Sequence, residues 1–310
     1  MKIISNFFSS PTLSLKIDVD TSLGLKENVP SILKILSKFN IKGTFFVAMG
    51  PDNSGKALKR IFRKEFFKMT LRTRRIKRFP LKTLSYGFLL KAPIISLENK
   101  EILKLIRKEG HECGIHGYDH VKWHENLSEM SQDEIEEELI KAKKLYEEIL
   151  DESPLSSASP GWRATEKSLE AEDKLNLKYH SDTRGKTPFF IKIGEKLLKT
   201  LEIPTTLPTM DEIYGFNGLK DKELPVYYLE KIRESSFSVM TIHPELEGVE
   251  PGKSIFIEIL SNLKNEGIKF ISLDEASSLL LQKQGKIPLC SIEERMICGR
   301  SSKVAVQLID

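Results

Sequence analysis

Apolar residues follow two alternating rhythms along this chain. Short apolar runs, at 13–20 (LSLKIDVD), 42–50 (KGTFFVAMG) and 238–243 (SVMTIH), have the length and composition of buried strands. Longer segments, at 29–40 (VPSILKILSKFN) and 131–150 (SQDEIEEELIKAKKLYEEIL), repeat apolar residues at the spacing of an amphipathic helix. Strands and helices therefore alternate, which predicts an α/β fold with a largely parallel sheet, either open or closed into a barrel.

Ionisable residues stand where the predicted strands end. Asp18 and Asp20 close the first run. His116 ends a further predicted strand, HECGIH, and His243 ends the late one. Parallel sheets bring the carboxyl ends of their strands to one face, where α/β proteins place their sites. We therefore expect these four side chains to face a common site.

The segment HGYDH places two of the six histidines of the chain four residues apart. On a helical turn, positions i and i+4 share a face, so the rings of His116 and His120 could bind one ion. Imidazole is a common ligand of zinc and of other late first-row metals. A surface turn with solvated histidines remains the alternative, because a single His-x3-His pair is a weak signal.

The acids of KIDVD flank Val19. If Val19 faces the core, Asp18 and Asp20 project from the opposite side of the strand. One carboxylate could then complete a metal site while the other takes a proton from water. Two alternatives stay open at this point. One is the Asp-x-Asp of metal-dependent glycosyltransferases, which holds a nucleotide diphosphate through Mn²⁺, and the other is a plain strand-end turn.

Three further residues are candidates for catalytic roles. His243 could be a general acid because the pKa of histidine lies near working pH, although a lone histidine is more often structural. Arg163, in PGWRAT, could lock a carboxylate through two hydrogen bonds. Asp182, in YHSDTRG, could orient a catalytic histidine.

Size and composition fit a globular protein with a sizeable core. The 310 residues are 40% hydrophobic and 30% charged, enough for one large domain or two modest ones. An odd, low count of three cysteines favours free thiols in a reducing compartment. No window of about 18 apolar residues occurs, so we expect a cytoplasmic protein whose membrane contact is peripheral.

The net charge of +4 hides a strongly basic segment. Residues 55–91 carry 13 basic side chains against one acidic side chain. Phenylalanines and leucines interrupt the charges, a pattern typical of a helix at an anionic membrane surface. The alternatives are a solvated helical face and, for the basicity alone, nucleic acid, although no nucleic-acid motif accompanies it. The candidate lipid-phosphate residues are Lys59, Arg60, Arg63, Arg72, Arg74, Arg75 and Arg78.

Five motifs follow one another along the chain: IDVD, HGYDH, GWRAT, YHSDTRG and TIHPELEG. In this order they resemble the polysaccharide deacetylase, or NodB-homology, family of hydrolases. Over about residues 13–280 the chain is also similar to the 4-deoxy-4-formamido-L-arabinose-phosphoundecaprenol deformylases of that family. The resemblance implies a distorted (β/α) barrel at 1–281 with a basic amphipathic insertion at about 55–95. It leaves 282–310 as a C-terminal tail without an assigned role.

The resemblance also implies how the metal and the base are arranged. The metal ligands would be Asp20, His116 and His120. They would hold a divalent metal, zinc in the first place, with manganese, cobalt, nickel or iron also compatible with this ligand set. Asp18 would be the general base, and Arg163 would hold it.

On the acid side, the resemblance makes His243 the general acid that protonates the leaving amine, with Asp182 tuning it. The chain departs from the family pattern in two places. Val19 separates two acids that are adjacent in the family, which leaves the division of labour between them open. The motif GWRAT lacks the usual Pro-Tyr, which leaves the partner of its arginine open.

The implied reaction is metal-dependent removal of the formyl group from 4-deoxy-4-formamido-L-arabinose linked to undecaprenyl phosphate, in the aminoarabinose modification of lipid A. N-deacetylation of another acylated sugar or polyprenyl-linked glycan is the alternative, and a non-catalytic membrane-binding protein with this fold is a third hypothesis. The expected partners are a polyprenyl-phosphate-linked sugar and an anionic membrane surface, on the cytoplasmic face of the inner membrane. We expect neither nucleic acid nor an obligate protein partner.

Overall fold

The structure is a computed structural model that describes residues 7–57, 80–215 and 219–309. Within these ranges the strands are β1 (Thr12–Val19), β2 (Thr44–Val47), β3 (Glu112–Ile115), β4 (Ser156–Ser157), β5 (Tyr179–His180), β6 (Phe189–Ile193), β7 (Lys196–Glu202), β8 (Phe237–Ile242), β9 (Lys269–Phe270), β10 (Leu289–Cys290), β11 (Ile292–Arg295) and β12 (Val304–Gln307).

The helices of the same ranges are α1 (Val29–Lys38), α2 (Leu81–Ser85), α3 (Ile95–Glu98), α4 (Lys100–Lys108), α5 (His120–Asn126), α6 (Gln132–Leu150), α7 (Glu166–Asp173), α8 (Met210–Ile213), α9 (Leu224–Arg233), α10 (Pro244–Glu247), α11 (Gly252–Asn265) and α12 (Leu273–Leu281). A π-helical turn covers Gly24–Asn28, and 3₁₀ turns cover Pro160–Trp162, Asp221–Glu223 and Gln284–Lys286.

The alternation of β1 sets the two faces of the sheet. Its residues Leu15, Ile17 and Val19 pack into the main hydrophobic core together with apolar residues of α1 and α11. The opposite face carries Lys16 and Asp18, which are also buried. Side chains of a strand alternate between faces, so the pattern TLSLKIDV places a polar row on one face of the sheet and an apolar row on the other face, against the helices.

The main sheet is almost entirely parallel. Its strands run in the order β8, β1, β2, β3, β4, β5, β7, β6, β10, with β9 paired to the start of β1. Only the hairpin of β6 and β7 is antiparallel within this sheet, and β11 pairs with β12 in a separate antiparallel hairpin. The predicted α/β fold with a largely parallel sheet is confirmed.

Individual hydrogen bonds, rather than a strand ladder, close the sheet into a distorted barrel. The backbone N–H groups of Thr206 and Leu207, which follow β7, both lie 3.2 Å from the carbonyl oxygen of Val239 in β8. The hydroxyl oxygens of Thr205 and Thr241 lie 2.8 Å apart. The chain after β7 therefore completes the barrel wall between β7 and β8, as the family resemblance implied.

Residues 282–309 pack on the barrel instead of trailing from it. Strand β10 joins the edge of the main sheet beside β6. The hairpin of β11 and β12, which we call with its loop the C-terminal arm (residues 291–309), lies against Arg184. The backbone N–H of Arg184 donates to Ala305 and its carbonyl accepts from Gln307, each at 2.8 Å. The three cysteines of the chain form no disulfide with one another.

Most of the basic insertion, residues 58–79, lies outside the described residues. All seven candidate lipid-phosphate residues fall there. The described part that follows carries large exposed apolar side chains, Leu81 at 86%, Phe88 at 72% and Leu89 at 75% exposure. Among the described helices, none combines the length and the apolar character that a membrane span requires.

Candidate metal and catalytic site

The three predicted metal ligands, Asp20, His116 and His120, meet at the carboxyl ends of β1 and β3. The Nε2 atoms of His116 and His120 each lie 3.4 Å from Oδ1 of Asp20. Ligand atoms bound at about 2.0–2.1 Å in a tetrahedral zinc site lie about 3.3–3.4 Å from one another. The spacing of this carboxylate and these two imidazoles therefore fits a zinc-sized ion.

The two histidines reach the site from a strand-to-helix turn, not from one helical turn as the spacing suggested. His116 follows β3, and His120 is the first residue of α5. Gly117, with a φ of +68°, turns the chain between them in a conformation that favours glycine. Asp119 caps α5 by accepting hydrogen bonds from the N–H groups of the second and third helical residues. The cap fixes where the helix starts and hence where His120 points.

Hydrogen bonding and charge prepare His116 as a ligand. Its Nδ1–H donates to the carbonyl oxygen of Ala158 at 2.7 Å, which leaves Nε2 as the free lone pair facing the site. Burial lowers the pKa of His116, but Asp18 and Asp20 outweigh burial and raise it above the ordinary value. The negative potential that favours a proton here also favours a metal cation.

Asp20 is the anionic partner of this pair. Burial raises its pKa, but the neighbouring imidazoles, that of His120 first, outweigh burial and hold the pKa well below its ordinary value. The charge of His243 is among those that lower the pKa of Asp20. His243 therefore interacts electrostatically with one of the predicted metal ligands.

Asp18 is paired with a cation that the sequence analysis did not single out. Nζ of Lys16, two residues earlier on the same face of β1, lies 2.9 Å from Oδ2 of Asp18, and both side chains are buried. The other oxygen, Oδ1, has no hydrogen-bond partner among the described residues. Asp18 therefore has one oxygen held in place and one available to accept a proton.

The expected pairing of Arg163 with Asp18 is wrong. The guanidinium of Arg163 lies 2.6 Å from Oε1 of Glu294 in the C-terminal arm and also donates to the carbonyl of Lys303 at 3.2 Å. Lys16 occupies the position expected for the arginine. The strict alternation of TLSLKIDV, which puts Lys16 on the face of Asp18, was the signal that could have identified it.

His243 stands at the end of β8, as predicted, and immediately before α10. Its backbone N–H donates to Oε2 of Glu247 at 2.9 Å, which ties the strand end to the helix. Its ring meets the indole of Trp162 edge-on, with centroids 6.2 Å apart and an interplanar angle of 83°. The indole of Trp162 is therefore a packing partner of this imidazole.

Asp182 pairs with a different histidine from the one expected. Its Oδ2 lies 3.0 Å from Nδ1 of His180, the last residue of β5, instead of supporting His243. Nδ1 of His180 also contacts Glu202. One nitrogen or oxygen atom each of Glu172, His180 and Asp182 lie within 4.8 Å of one another. These four buried residues form what we call the sealed cluster: Glu172, His180, Asp182 and Glu202.

The residues of the sealed cluster shift one another's pKa values. Burial lowers the pKa of His180, but Asp182 and Glu202 outweigh burial and raise it well above the ordinary value. Burial raises the pKa of Asp182, but the imidazolium of His180 lowers it to about 2. Burial and the charge of Asp182 both raise the pKa of Glu172 well above its ordinary value. These shifts favour the protonated form of His180, the ionised form of Asp182 and the neutral form of Glu172.

The remaining histidines have structural contacts. Nδ1 of His111 accepts the backbone N–H of Gly43 at 3.1 Å, on the face of β3 that points away from the metal ligands. His124 stacks on His120 with ring centroids 6.3 Å apart, and its Nε2 lies 3.5 Å from the hydroxyl of Ser302. His124 therefore joins a predicted metal ligand to the C-terminal arm.

Comparisons with known proteins agree with this geometry. The family model for polysaccharide deacetylases matches residues 8–180. Among curated proteins, the chain is 32% identical over 295 residues to a probable 4-deoxy-4-formamido-L-arabinose-phosphoundecaprenol deformylase, ArnD, of Shewanella sediminis (strain HAW-EB3), covering 95% of this chain and 94% of that protein. It is 34% identical over 287 residues to the probable deformylase of the same name from Wigglesworthia glossinidia brevipalpis, covering 92% and 98% of the two chains.

A solved structure extends the similarity to the fold. A protein from Mycobacterium smegmatis, provisionally named a polysaccharide deacetylase, superposes with a TM-score of 0.63 over 92% of this chain and 94% of that one. The sequence identity is 17%, so this likeness concerns the fold alone. The family match, the identity to curated relatives over nearly the whole chain and the barrel together establish that the chain belongs to the polysaccharide deacetylase family.

Proposed function

We propose that the protein is a metal-dependent amide hydrolase that removes the formyl group from 4-deoxy-4-formamido-L-arabinose linked to undecaprenyl phosphate, in the modification of lipid A. The observation that carries the proposal is the meeting of Asp20, His116 and His120 beside a paired Asp18. The named deformylases to which the chain is similar act on this substrate class.

The ligand set admits several ions. One carboxylate and two imidazoles suit zinc first, and manganese, cobalt, nickel or iron also accept such ligands. A divalent cation bound there would polarise the amide carbonyl and lower the pKa of the attacking water. The other chemical steps belong to protein side chains.

Asp18 is the proposed general base. Lys16 holds one of its oxygens at 2.9 Å, so the second oxygen is oriented toward the proton of the attacking water. The pairing also gives the buried side chain of Asp18 a charged hydrogen-bond partner, the ammonium group of Lys16. A base held in this way is ready without further reorganisation when the substrate arrives.

His243 is the proposed general acid. An amide nitrogen leaves poorly unless it is protonated, and an imidazolium can donate that proton near neutral pH. His243 stands on β8 and Asp18 on the neighbouring β1, so the acid and the base come from adjacent strand ends. The substrate amide would lie between them at the mouth of the barrel.

The basic insertion is the proposed membrane contact. The exposed Leu81, Phe88 and Leu89 border the basic residues 58–79, and apolar side chains beside lysine and arginine fit the interface of an anionic leaflet. A lipid-linked sugar of the cytoplasmic leaflet of the inner membrane would be reached from that surface. On this proposal the catalytic unit spans 1–281 and carries the insertion at about 55–95.

Product release from two lipid-linked substrates tests the function. Purified protein is given formamido-arabinose-phosphoundecaprenol and its N-acetyl analogue, before and after metal removal. We expect formate from the first substrate only, lost after chelation and restored by zinc. Acetate release would favour N-deacetylation of another acylated sugar. No product from either substrate, in a metal-replete sample, would refute both activities.

Liposome binding tests the membrane contact. Replacing Arg72, Arg74, Arg75 and Arg78 by glutamine should weaken sedimentation with anionic vesicles, and salt should weaken the wild-type binding in the same way. The matched control replaces three exposed lysines of α4, Lys100, Lys104 and Lys108, and should bind as the wild type does. If both variants bind the vesicles as the wild type does, the insertion is a solvated face and not a membrane contact.

A further inference from the structure

Trp162 is a strained residue at the centre of the site. It has a φ of +54°, a left-handed conformation that a bulky side chain rarely adopts, and it is 1% exposed. Its indole N–H donates to the hydroxyl of Thr205 at 2.9 Å, which fixes the ring in the barrel wall. Such strain persists only where the surrounding structure enforces it, and it concentrates at functional sites.

The indole of Trp162 links the base to the acid. Nζ of Lys16, the cation that holds Asp18, lies 5.1 Å from the ring centroid. The ring of His243 contacts the same indole edge-on. One rigid ring therefore touches the side chain that positions the base and the side chain proposed as the acid.

A residue of the C-terminal arm, Arg300, packs against this ring. The guanidinium carbon of Arg300 lies 4.3 Å from the centroid of the Trp162 ring, close enough for a stacked cation–π contact. Nε of Arg300 lies 2.6 Å from Oε1 of Glu212 in α8, which holds the guanidinium plane in place. A guanidinium held by a carboxylate and desolvated against an indole is a rigid contact, unlike a surface arginine.

Backbone geometry commits the arm to this position. Gly299, which precedes Arg300, has a φ of +82°, and a Cβ there would lie 2.6 Å from the carbonyl oxygen of Glu212. A larger residue could not bring the arm this close to α8. The ion pair of Arg163 with Glu294 fastens a second point, one residue from Trp162. The arm therefore contacts the Trp162 turn at two points, the indole ring through Arg300 and the adjacent Arg163 through Glu294.

We infer that the C-terminal arm is part of the active site, and that Arg300 and Trp162 are positioning residues that hold His243 in the orientation for proton donation. The inference rests on the proposed function, because it assigns a partner to the general acid of that reaction. It gives the segment 291–309 a catalytic purpose that its sequence does not suggest. Misplacement of a reacting group by about 1 Å costs on the order of a hundredfold in rate, so the packing of Arg300 against Trp162 has a measurable consequence.

The test is substitution of Arg300 in the full-length protein with formate release as the readout. Arg300→Ala should lower kcat on the order of a hundredfold, with KM and bound metal within about twofold of the wild type. Added guanidinium ion should restore part of kcat, because it can occupy the vacated place over the indole. Arg300→Lys, which keeps the charge without the planar group, should be intermediate.

The matched control is Arg295→Ala. Arg295 lies on the same hairpin, is more than half exposed and pairs with the neighbouring Glu293, so its removal should leave kcat unchanged. Trp162→Phe, which keeps an aromatic ring but loses the indole contacts, should lower kcat in the same sense as Arg300→Ala. If Arg300→Ala fails to fold, Arg300→Lys and Trp162→Phe carry the test.

Three outcomes would overturn the inference: an unchanged kcat in Arg300→Ala, a loss of activity equal to that of Arg295→Ala, or a loss of bound metal that by itself accounts for the fall in kcat. Each is read against wild-type protein that releases formate. A wild type that releases none contradicts the proposed function instead, so the two failures are distinguishable.

Discussion

Two groups of acids and histidines lie within the same barrel, and they differ in what balances their charge. The first joins Asp20 to His116 and His120, and the second, the sealed cluster, joins Glu172, His180 and Asp182. In each group the ligand atoms lie within 4.8 Å of one another, so distance alone does not distinguish them. Their surroundings do.

The first group is open to the barrel mouth, whereas the second is closed. Asp20 and His120 are partly exposed, and the imidazole of His116 points a free Nε2 at the carboxylate. In the sealed cluster Nδ1 of His180 is already occupied by Asp182 and Glu202. A protonated histidine thus provides inside the cluster the positive charge that a metal would provide at the mouth.

A single peptide unit connects the two groups. The carbonyl of Ala158 accepts from Nδ1 of His116, and the N–H of Ser159 in the same peptide donates to Oδ1 of Asp182, each at 2.7 Å. Charge in the sealed cluster therefore polarises the hydrogen bond that orients a metal ligand. Asp182 supports the metal side of the site, and not the general acid as the family resemblance implied.

The largest effect is expected at the open group. His116→Ala should remove the bound metal and lower kcat by about three to four orders of magnitude, because a metal contributes several kcal/mol to such hydrolysis. Elemental analysis and formate release measure the two losses. His111→Gln, a change to the histidine that precedes the opposite end of the same strand β3, is the control and should retain the metal. Metal retained by His116→Ala would mean that the ligand is misassigned.

The next effect concerns the cation that balances the base. Lys16→Met leaves the buried Asp18 without its partner, which should lower the free energy of unfolding by about 3–5 kcal/mol and also reduce kcat. Urea unfolding measures the stability. Arg163→Met is the matched control, and the loss of its partly exposed pair with Glu294 should cost about 1 kcal/mol. A larger loss of kcat in Arg163→Met than in Lys16→Met would restore the arginine as the partner of the base.

A further prediction separates stability from metal binding. His180→Gln removes the cation of the sealed cluster and leaves the buried carboxylate of Asp182 uncompensated, so the free energy of unfolding should fall by up to about 3 kcal/mol. The number of metal ions per chain should not change. Parallel urea titrations and elemental analysis check both statements. Loss of the metal together with stability would show that the two groups are one site.

The pH dependence of the same variant gives an independent check. The folded-state pKa of His180 is raised above its ordinary 6.5, so its contribution to stability is fully present below pH 6.5 and is lost as the pH rises through the folded pKa. The difference in unfolding free energy between wild type and His180→Gln should therefore be constant below pH 6.5 and shrink in alkaline solution. A difference that grows with pH would contradict a cationic His180.

The smallest effect tests the peptide link. Asp182→Asn keeps an acceptor for Ser159 but removes the charge, and should weaken metal affinity about tenfold, at the lower end of the effects of such outer groups. Competition with a chelator measures it. Glu172→Gln is the matched control, because the raised pKa of Glu172 already leaves it neutral and the substitution should change little. Equal metal affinities in the wild type, Asp182→Asn and Glu172→Gln would show that the charge of Asp182 does not act on the metal site.

Local patterns predicted which residues meet at the candidate metal site. The alternation of TLSLKIDV, the ends of β1 and β3 and the His-x3-His spacing are short-range features, and the structure brings Asp18, Asp20, His116 and His120 together as those features indicated. The strands β4 and β5 escaped prediction because two residues are too few to show a period.

The partners of the predicted residues were decided by contacts between distant segments. Glu294 reaches Arg163 across 131 positions of sequence, and Arg300 reaches Trp162 across 138. Nothing in either local pattern marks these pairs, because each arises only when the C-terminal arm folds back over the barrel. Asp182 is the exception, because its histidine is two residues away along the chain and not at the end of β8.

The sequence by itself determined the class of fold, the ends of the strands that carry chemistry and the residues able to bind a metal. It did so because side-chain alternation and helical spacing are properties of consecutive residues. Only the tertiary structure decided which carboxylate pairs with Arg163, which ring packs against His243 and which acid–histidine group is fully buried. Those outcomes depend on burial and on which charges come within a few ångströms, and both are set by packing across the whole chain.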